Sequence, residues 1–164
     1  MARSRAACVA VAAALLGSVA WGWVAGGHAA ATFTAHVVDV LDGDTIVVRY
    51  RDGSYDTVRL LGVDTPETMH PDKPVECYGP EASAYTKRRL TGQDVVLERD
   101  AELRDIYGRL LAHVRVDGVS VNEELLRLGY ARLLIIAPNG EHGRALLAAE
   151  LDAQHAQRGL WGKC

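Results

Sequence analysis

The sequence lacks the surplus of positive charge that nonspecific nucleic-acid-binding proteins carry. Its 164 residues include 18 Lys and Arg against 21 Asp and Glu, which gives a formal net charge of −3 at pH 7. Two of the arginines lie in residues 1–31, which hold no acidic residue, so the rest of the chain carries −5. Nonspecific affinity for nucleic acids depends on basic residues that displace counterions from phosphates. The composition therefore argues against a general nucleic-acid-binding protein and limits any such contact to a local site.

Internal repeats, low-complexity tracts and linkers are also absent from the sequence. Nothing therefore divides the chain into several domains, and its length suffices for one domain with a hydrophobic core. No segment suggests an oligomer interface either, so we expect a monomer.

The N-terminal stretch has the composition of a secretory leader. Arg3 and Arg5 precede residues 6–26, which hold no charge, and a run of alanines follows. This order predicts a signal peptide over residues 1–31 and one secreted domain over residues 32–164. The alternative is an uncleaved membrane anchor, because about 20 apolar residues suffice to span a bilayer.

The chain is organised around a predicted hairpin. Residues 45–50 and 55–61 are strand-like, and the Asp-Gly pair at residues 52–53 is a strong signal for a two-residue turn. With that turn, residue 44 lies opposite residue 61. The acidic residues that flank the two strands are then brought together at the open end of the hairpin.

Those acidic residues are Asp42, Asp44 and Asp64, and Pro66 stops further pairing beyond them. Three adjacent carboxylates repel one another unless a cation or arginines neutralise them. Asp44 and Asp64, with a main-chain carbonyl near Thr65, supply the hard oxygen ligands that Ca²⁺ prefers, and the chain offers no His and Cys set for zinc. Asp42 is either a supporting group for the metal or a turn residue.

Three further residues complete a candidate catalytic set. Glu67 follows the second strand closely enough to act as a base or to hold a water molecule, with a structural hydrogen bond as the alternative. Arg59 and Arg109 could clamp a phosphate with two guanidinium groups, although Arg59 could instead pair with an acid on a barrel face. A metal, a base and paired arginines together predict a phosphodiesterase site.

The remaining segments indicate an α+β fold with a small five-stranded β-barrel as its core. A loop over residues 68–78 lies beside the candidate site and is expected to shape or cover it. Residues 131–137 form an apolar extended run. Further strands are predicted over residues 33–41, 94–99 and 109–116, and helices over residues 79–90, 121–128 and about 141–158.

Only two cysteines, Cys77 and Cys164, lie after the leader. In an oxidising compartment an even pair is most simply one disulfide, and the alternative is two free thiols. The chain-entropy model assigns about 4–5 kcal/mol to a cross-link that closes a loop of this length. The bond would hold the C-terminus against the segment that follows the hairpin.

Five segments of the chain form an ordered set of motifs: residues 42–45 (Asp-Gly-Asp-Thr), 59–67, 78–83, 105–109 and 121–123. The Asp-Gly-Asp-Thr motif alone is a weak signal, but the ordered set is highly specific. With these segments the chain resembles the staphylococcal nuclease family over nearly all of residues 36–161. The resemblance implies an OB-like five-stranded barrel with three helices, and a Ca²⁺-dependent enzyme that hydrolyses DNA and RNA to leave 3′-phosphate ends.

The resemblance also implies the metal ligands and the base. Asp44 and Asp64 match the calcium carboxylates of the family, and Thr65 matches its carbonyl ligand. Glu67 matches the acid usually assigned as the general base. The mechanism that the resemblance implies is attack on phosphorus by a water molecule that Glu67 orients, in line with the leaving oxygen.

Four more positions match residues that bind the substrate in this family. Arg59 and Arg109 match the phosphate-binding arginines, Tyr107 a tyrosine beside the bound nucleotide, and Lys73 a lysine on the flexible loop near the 3′-phosphate. The implied partners are DNA and RNA.

The chain departs from the family pattern around the base pocket. Two tyrosines of the best-known member are replaced by an aliphatic run, residues 133–137, which is one residue shorter, and the lysine expected before Tyr107 is Ile106. A base–aromatic stack contributes about 1–3 kcal/mol, so weaker substrate binding is expected.

The alternative function is a non-catalytic OB-type nucleic-acid-binding module. Such a module would be expected to lose acids from the site, whereas this chain retains them.

Overall fold

Five strands close into a barrel in the computed structural model, which describes residues 31–68 and 74–164. The strands are β1 (Thr32–Asp42), β2 (Thr45–Arg49), β3 (Tyr55–Leu60), β4 (Gly62–Asp64), β5 (Asp94–Glu98), β6 (Leu110–Val116), β7 (Val119–Ser120) and β8 (Arg132–Leu134). The order in the main sheet is β3-β2-β1-β5-β6-β7, and β3 also pairs in parallel with β6, so β1, β2, β3, β5 and β6 form a closed ring. The predicted OB-like α+β barrel is confirmed.

The described residues contain the three predicted helices, and a four-residue helix follows near the C-terminus. The first two pack against the barrel, and the third packs against the second. Pro80 lies in the first turn of the first helix, where its missing N–H is not needed. Ile46 and Val58 from the barrel are fully buried, together with Leu125 from a covering helix. The helices are α1 (Gly79–Leu90), α2 (Val121–Arg127), α3 (Gly143–His155) and α4 (Leu160–Lys163).

The register of the β2–β3 hairpin is one residue away from the predicted one. Thr45 pairs with Arg59, and the amide of Leu60 donates to the carbonyl of Asp44. The connection is a three-residue loop, because Gly53 adopts a φ of 88° and its amide donates to the carbonyl of Tyr50. A turn followed by a left-handed glycine adds one residue to the expected two-residue turn.

Residues 131–137 form a strand over only three residues, and that strand packs beside the hairpin. β8 pairs antiparallel with β4, which places Leu133 opposite Val63. The buried carboxylate of Glu150 in α3 accepts a hydrogen bond from the amide of Leu133 at 2.8 Å. The short strand is therefore held from both sides.

The structure joins Cys77 to Cys164 by a disulfide. The C-terminal segment is also packed into the domain, because Leu160 is buried and its amide donates to the carbonyl of Gly129 at 2.9 Å. The predicted leader lies outside the described residues apart from Ala31. Within residues 31–68 and 74–164, none of the helices has the length and apolar character needed to cross a membrane.

His113 is a buried titratable residue outside the candidate site. Its ring contacts that of His142 edge-on at 4.4 Å, and its Nε2 atom has no hydrogen-bond partner. Burial is the main reason that the pKa of His113 is lowered from 6.5 to about 4, and the neighbouring His142 lowers it further. The carboxylates of Asp100 and Glu98 raise this pKa but do not cancel the decrease. The unfolded chain therefore binds a proton at this residue that the folded chain excludes between these pH values.

We expect acid to destabilise the domain through His113. Stability is unaffected by this residue above pH 6.5 and falls as the pH decreases from 6.5 towards 4, by on the order of 3 kcal/mol in total. Urea unfolding across this range should show the free energy of unfolding of wild type falling relative to that of His113→Asn as the pH decreases. His155→Asn, which changes an exposed histidine, is the control. Parallel curves for wild type and His113→Asn would contradict the assignment.

Candidate active site

Asp44 is the buried carboxylate at the open end of the hairpin. Its Oδ2 atom accepts hydrogen bonds from the amide and the hydroxyl of Thr65 at 3.0 and 3.1 Å. Its Oδ1 atom accepts one from the hydroxyl of Thr45 at 3.1 Å. A buried carboxylate needs such donors, and these three fix the orientation of Asp44.

Arg59 forms ion pairs with both Asp44 and Asp64 through one nitrogen. Its Nη2 atom lies 3.2 Å from a carboxylate oxygen of each aspartate. Its Nη1 atom donates to the carbonyls of Leu60 and Val63 at 2.9 and 2.7 Å. The main chain therefore fixes the guanidinium group, while Nη2 faces the acids.

The acids remain crowded despite this arginine. Burial raises the pKa of Asp64, and the negative charges of Asp44 and Glu76 raise it further. The positive charge of Arg59 lowers this pKa but does not cancel the increase. Burial likewise raises the pKa of Asp42. A cation bound here would relieve this repulsion.

Arg109 is oriented by an acid four residues earlier. Asp105 accepts from Nε of Arg109 at 2.7 Å and from the amides of Tyr107 and Arg109 at 2.9 Å each. Burial raises the pKa of Asp105, but these hydrogen bonds outweigh it and hold the pKa below its usual value. The guanidinium carbon of Arg109 lies 5.3 Å from the ring centre of Tyr107. Asp105 therefore stays charged and holds Arg109 at the start of β6.

Glu67 lies in the same cleft as the aspartates. The amide of Thr68 donates to Oε1 of Glu67 at 2.9 Å, and the hydroxyl of Thr68 donates to Asp42 at 2.9 Å. Asp42 also accepts from the amide of Gly43 at 2.7 Å. Asp42 thus accepts hydrogen bonds from its own turn and from the side chain of Thr68, the residue after Glu67.

Two clefts adjoin at the arginines. The acidic cleft, of about 520 Å³, has a lining of Leu41, Asp42, Asp44, Thr45, Arg59, Asp64, Thr65, Glu67 and Arg109. The apolar cleft, of about 530 Å³, includes Tyr107, Leu134, Ile136 and Ala137 in its lining, and Arg59 and Arg109 as well. Both arginines therefore line both clefts, so a group bound between them faces acids on one side and apolar surface on the other.

The acidic cleft suits a hard cation. Among the described residues, no group of three or more His, Cys, Asp or Glu side chains is arranged to hold a metal ion. Asp44 and Asp64 nevertheless bring two carboxylate oxygens to one guanidinium nitrogen. Thr65 lines the same cleft, and carboxylate oxygens combined with main-chain carbonyls and water are the kind of ligand set that Ca²⁺ prefers.

A family model described as staphylococcal nuclease homologue matches residues 57–163. The chain belongs to the staphylococcal nuclease family. It is 44% identical over 128 residues to a thermonuclease of Staphylococcus hyicus, across 78% of this chain and 75% of that protein. It is 44% identical over 122 residues to a thermonuclease of Staphylococcus intermedius, across 74% and 72%. Endonuclease YncB of Bacillus subtilis (strain 168) is 44% identical over 125 residues, across 75% and 59%.

The fold of this family brings most of the predicted residues together. Seven of them line the acidic cleft, and Tyr107 lines the apolar one with 77% of its surface exposed. Lys73 lies outside the described residues. The seven are Asp42, Asp44, Arg59, Asp64, Thr65, Glu67 and Arg109.

Three residues of the site were not predicted from the sequence. Thr45 binds Asp44 and lies 3.5 Å from Arg109, and Asp105 holds Arg109. Glu76 contacts the backbone of Glu67. The role of Asp105 could have been predicted from its spacing, because it lies four residues before Arg109 with a glycine between them. An acid and an arginine at this spacing can form a local ion pair.

Proposed function

We propose that this member of the staphylococcal nuclease family is a secreted enzyme that uses Ca²⁺ to hydrolyse phosphodiester bonds in DNA and RNA. The products carry 3′-phosphate ends. The observation that supports the proposal best is that Arg59 and Arg109 line both the acidic and the apolar cleft. A phosphodiester between them has carboxylates on one side and space for a nucleoside on the other.

Arg59 and Arg109 bind the phosphate in this mechanism and stabilise the negative charge that builds up on its equatorial oxygens. Their guanidinium groups are already oriented, Arg59 by two carbonyls and Arg109 by Asp105. Little reorganisation is therefore needed when the substrate binds.

Glu67 orients the attacking water molecule and accepts its proton. The water oxygen bonds to phosphorus, the bond from phosphorus to the 5′ oxygen breaks, and the phosphate stays on the 3′ carbon. The departing oxygen takes a proton from solvent. Asp44, Asp64 and the Thr65 carbonyl would hold Ca²⁺, which supplies positive charge beside a phosphoryl oxygen.

The apolar cleft receives the base. Tyr107 offers an aromatic face, while Leu134 and Ile136 offer aliphatic surface, and Ile136 is 62% exposed. Aliphatic surface lacks the stacking contribution of an aromatic ring, so base binding is weaker than with tyrosines at these positions. Lys73 remains a proposed contact to the 3′-phosphate.

A non-catalytic OB-type binding module is the alternative function. Such a module would rely on basic or aromatic surface. This chain is acidic overall and keeps Asp44, Asp64 and Glu67 in one cleft. These observations favour the enzyme.

We expect cleavage of single-stranded DNA and RNA in Ca²⁺ and its loss on chelation. The purified protein, produced under oxidising conditions, is incubated with each substrate in Ca²⁺ or in excess EGTA, and end groups are analysed. Cleavage that needs Ca²⁺ and leaves 3′-phosphates supports the proposal. If folded protein binds Ca²⁺ without cleaving either substrate, the binding module becomes the better reading.

A further inference from the structure

Glu76 holds the backbone of Glu67 at two points. Its amide donates to the carbonyl of Glu67 at 2.9 Å, and its Oε2 atom accepts from the amide of Glu67 at 3.3 Å. These two hydrogen bonds bridge residues that lie nine positions apart in sequence. This bridge fixes the peptide groups on both sides of the Glu67 side chain.

Helix α1 supports the same backbone. Its first residue, Gly79, packs so closely that a Cβ atom there would lie 3.0 Å from the carbonyl oxygen of Pro66 and 3.1 Å from that of Glu67. The amide of Gly79 also donates to the carbonyl of Glu76 at 3.0 Å. The segment 76–79 therefore forms a bracket around the main chain of Glu67.

The disulfide anchors this bracket. Cys77 directly follows Glu76 and is bonded to Cys164. The amide of Cys164 donates to the carbonyl of Leu160 at 2.9 Å, and Leu160 is buried. The C-terminal segment thus connects the bracket to the packed core.

We propose that Glu76 is a positioning residue for Glu67 and that the Cys77–Cys164 disulfide keeps Glu76 in place. The inference rests on the proposed function of Glu67 in water activation. A displacement of about 1 Å in a catalytic group can lower the rate by about 10²-fold. The two hydrogen bonds between Glu76 and Glu67 limit the displacement of the Glu67 side chain by holding its backbone, and Glu76 itself does not contact the substrate.

Glu76→Ala is expected to lower kcat about tenfold and to change KM less than about twofold, because it affects the catalytic group and not the phosphate contacts. Glu76→Gln should recover most of the activity, since its amide oxygen still accepts from the amide of Glu67. Glu81→Ala, which removes an exposed acid of α1, is the matched control and should leave kcat unchanged. Recovery by Gln separates the hydrogen bond from the charge of Glu76.

Two further measurements separate positioning from general destabilisation. The amide of Glu67 should exchange with solvent faster in Glu76→Ala than in wild type, as followed by NMR, while core amides of β2 keep their protection. The double variant Cys77→Ser/Cys164→Ser should lower kcat in the same direction, by about 3- to 10-fold. In a Glu67→Gln background, Glu76→Ala and the double cysteine variant should change kcat very little, because the carboxylate that they are proposed to position is then missing.

The outcomes distinguish the two proposals. If wild type cleaves DNA and Glu67→Gln lowers kcat, but Glu76→Ala and the cysteine variant leave kcat and Glu67 amide exchange unchanged, only the positioning role is refuted. If Glu76→Ala lowers kcat equally in the Glu67→Gln background, Glu76 acts through another group and the inference is again wrong. If wild type does not cleave at all, both proposals fail.

Discussion

Arg109→Ala is expected to lower kcat/KM by at least 10²–10³-fold while the domain stays folded. Removing one oriented donor from a transition-state charge typically costs this much. The side chain of Arg109 is 30% exposed and contacts Asp105 and Thr45 instead of the hydrophobic core. Its removal therefore affects the clefts more than the barrel.

The measurement is cleavage of single-stranded DNA under saturating Ca²⁺, with circular dichroism and thermal unfolding to verify the fold. Arg88→Ala is the control, because Arg88 is an exposed arginine of α1 that lines neither cleft. Activity of Arg109→Ala within tenfold of wild type would refute the phosphate-binding role.

Glu67→Gln is expected to lower kcat by about 10²–10⁴-fold, the usual contribution of a general base. Glutamine keeps the size of the side chain and can still hold a water molecule, but it cannot accept the proton near neutral pH. Ca²⁺ binding should persist, because Asp44 and Asp64 are the proposed carboxylate ligands.

Single-turnover cleavage and Ca²⁺ titration of the same preparation test this expectation together. Glu81→Gln is the matched control, since it makes the same chemical change on the exposed surface of α1. Unchanged turnover in Glu67→Gln would assign the proton to another acceptor. A loss of Ca²⁺ affinity equal to the loss of rate would make Glu67 a metal ligand instead of a base.

Local signals in the sequence determined the strands, the helices and the set of acids and arginines. Alternating Val-rich segments, the Gly-Pro start of α1 and the glycine that ends α2 are read from residues a few positions apart. The order of the motifs determined the family, and through it the closed barrel. These features are local because propensity, capping and turn chemistry depend on neighbouring residues.

The register of the β2–β3 hairpin was not predicted correctly from neighbouring residues alone. The Asp52-Gly53 pair was expected to form a two-residue turn, but Gly53 takes the left-handed position after Tyr50–Asp52 and adds a residue. The same four residues are compatible with both turns. The turn signal alone therefore left the register uncertain by one residue.

Tertiary structure alone decided the contacts that orient the two arginines and the segment after Glu67. Arg109 meets Thr45 across 64 residues, and the carboxylate of Glu76 meets the amide of Glu67 across nine. The Asp44–Thr65 contact and the Cys77–Cys164 bond, by contrast, follow from the predicted hairpin and the predicted cysteine pairing. Local patterns do not encode the first two contacts, because they depend on how separate segments pack against one another. The sequence therefore determined which groups are available, and the packed barrel decided which of them face one another.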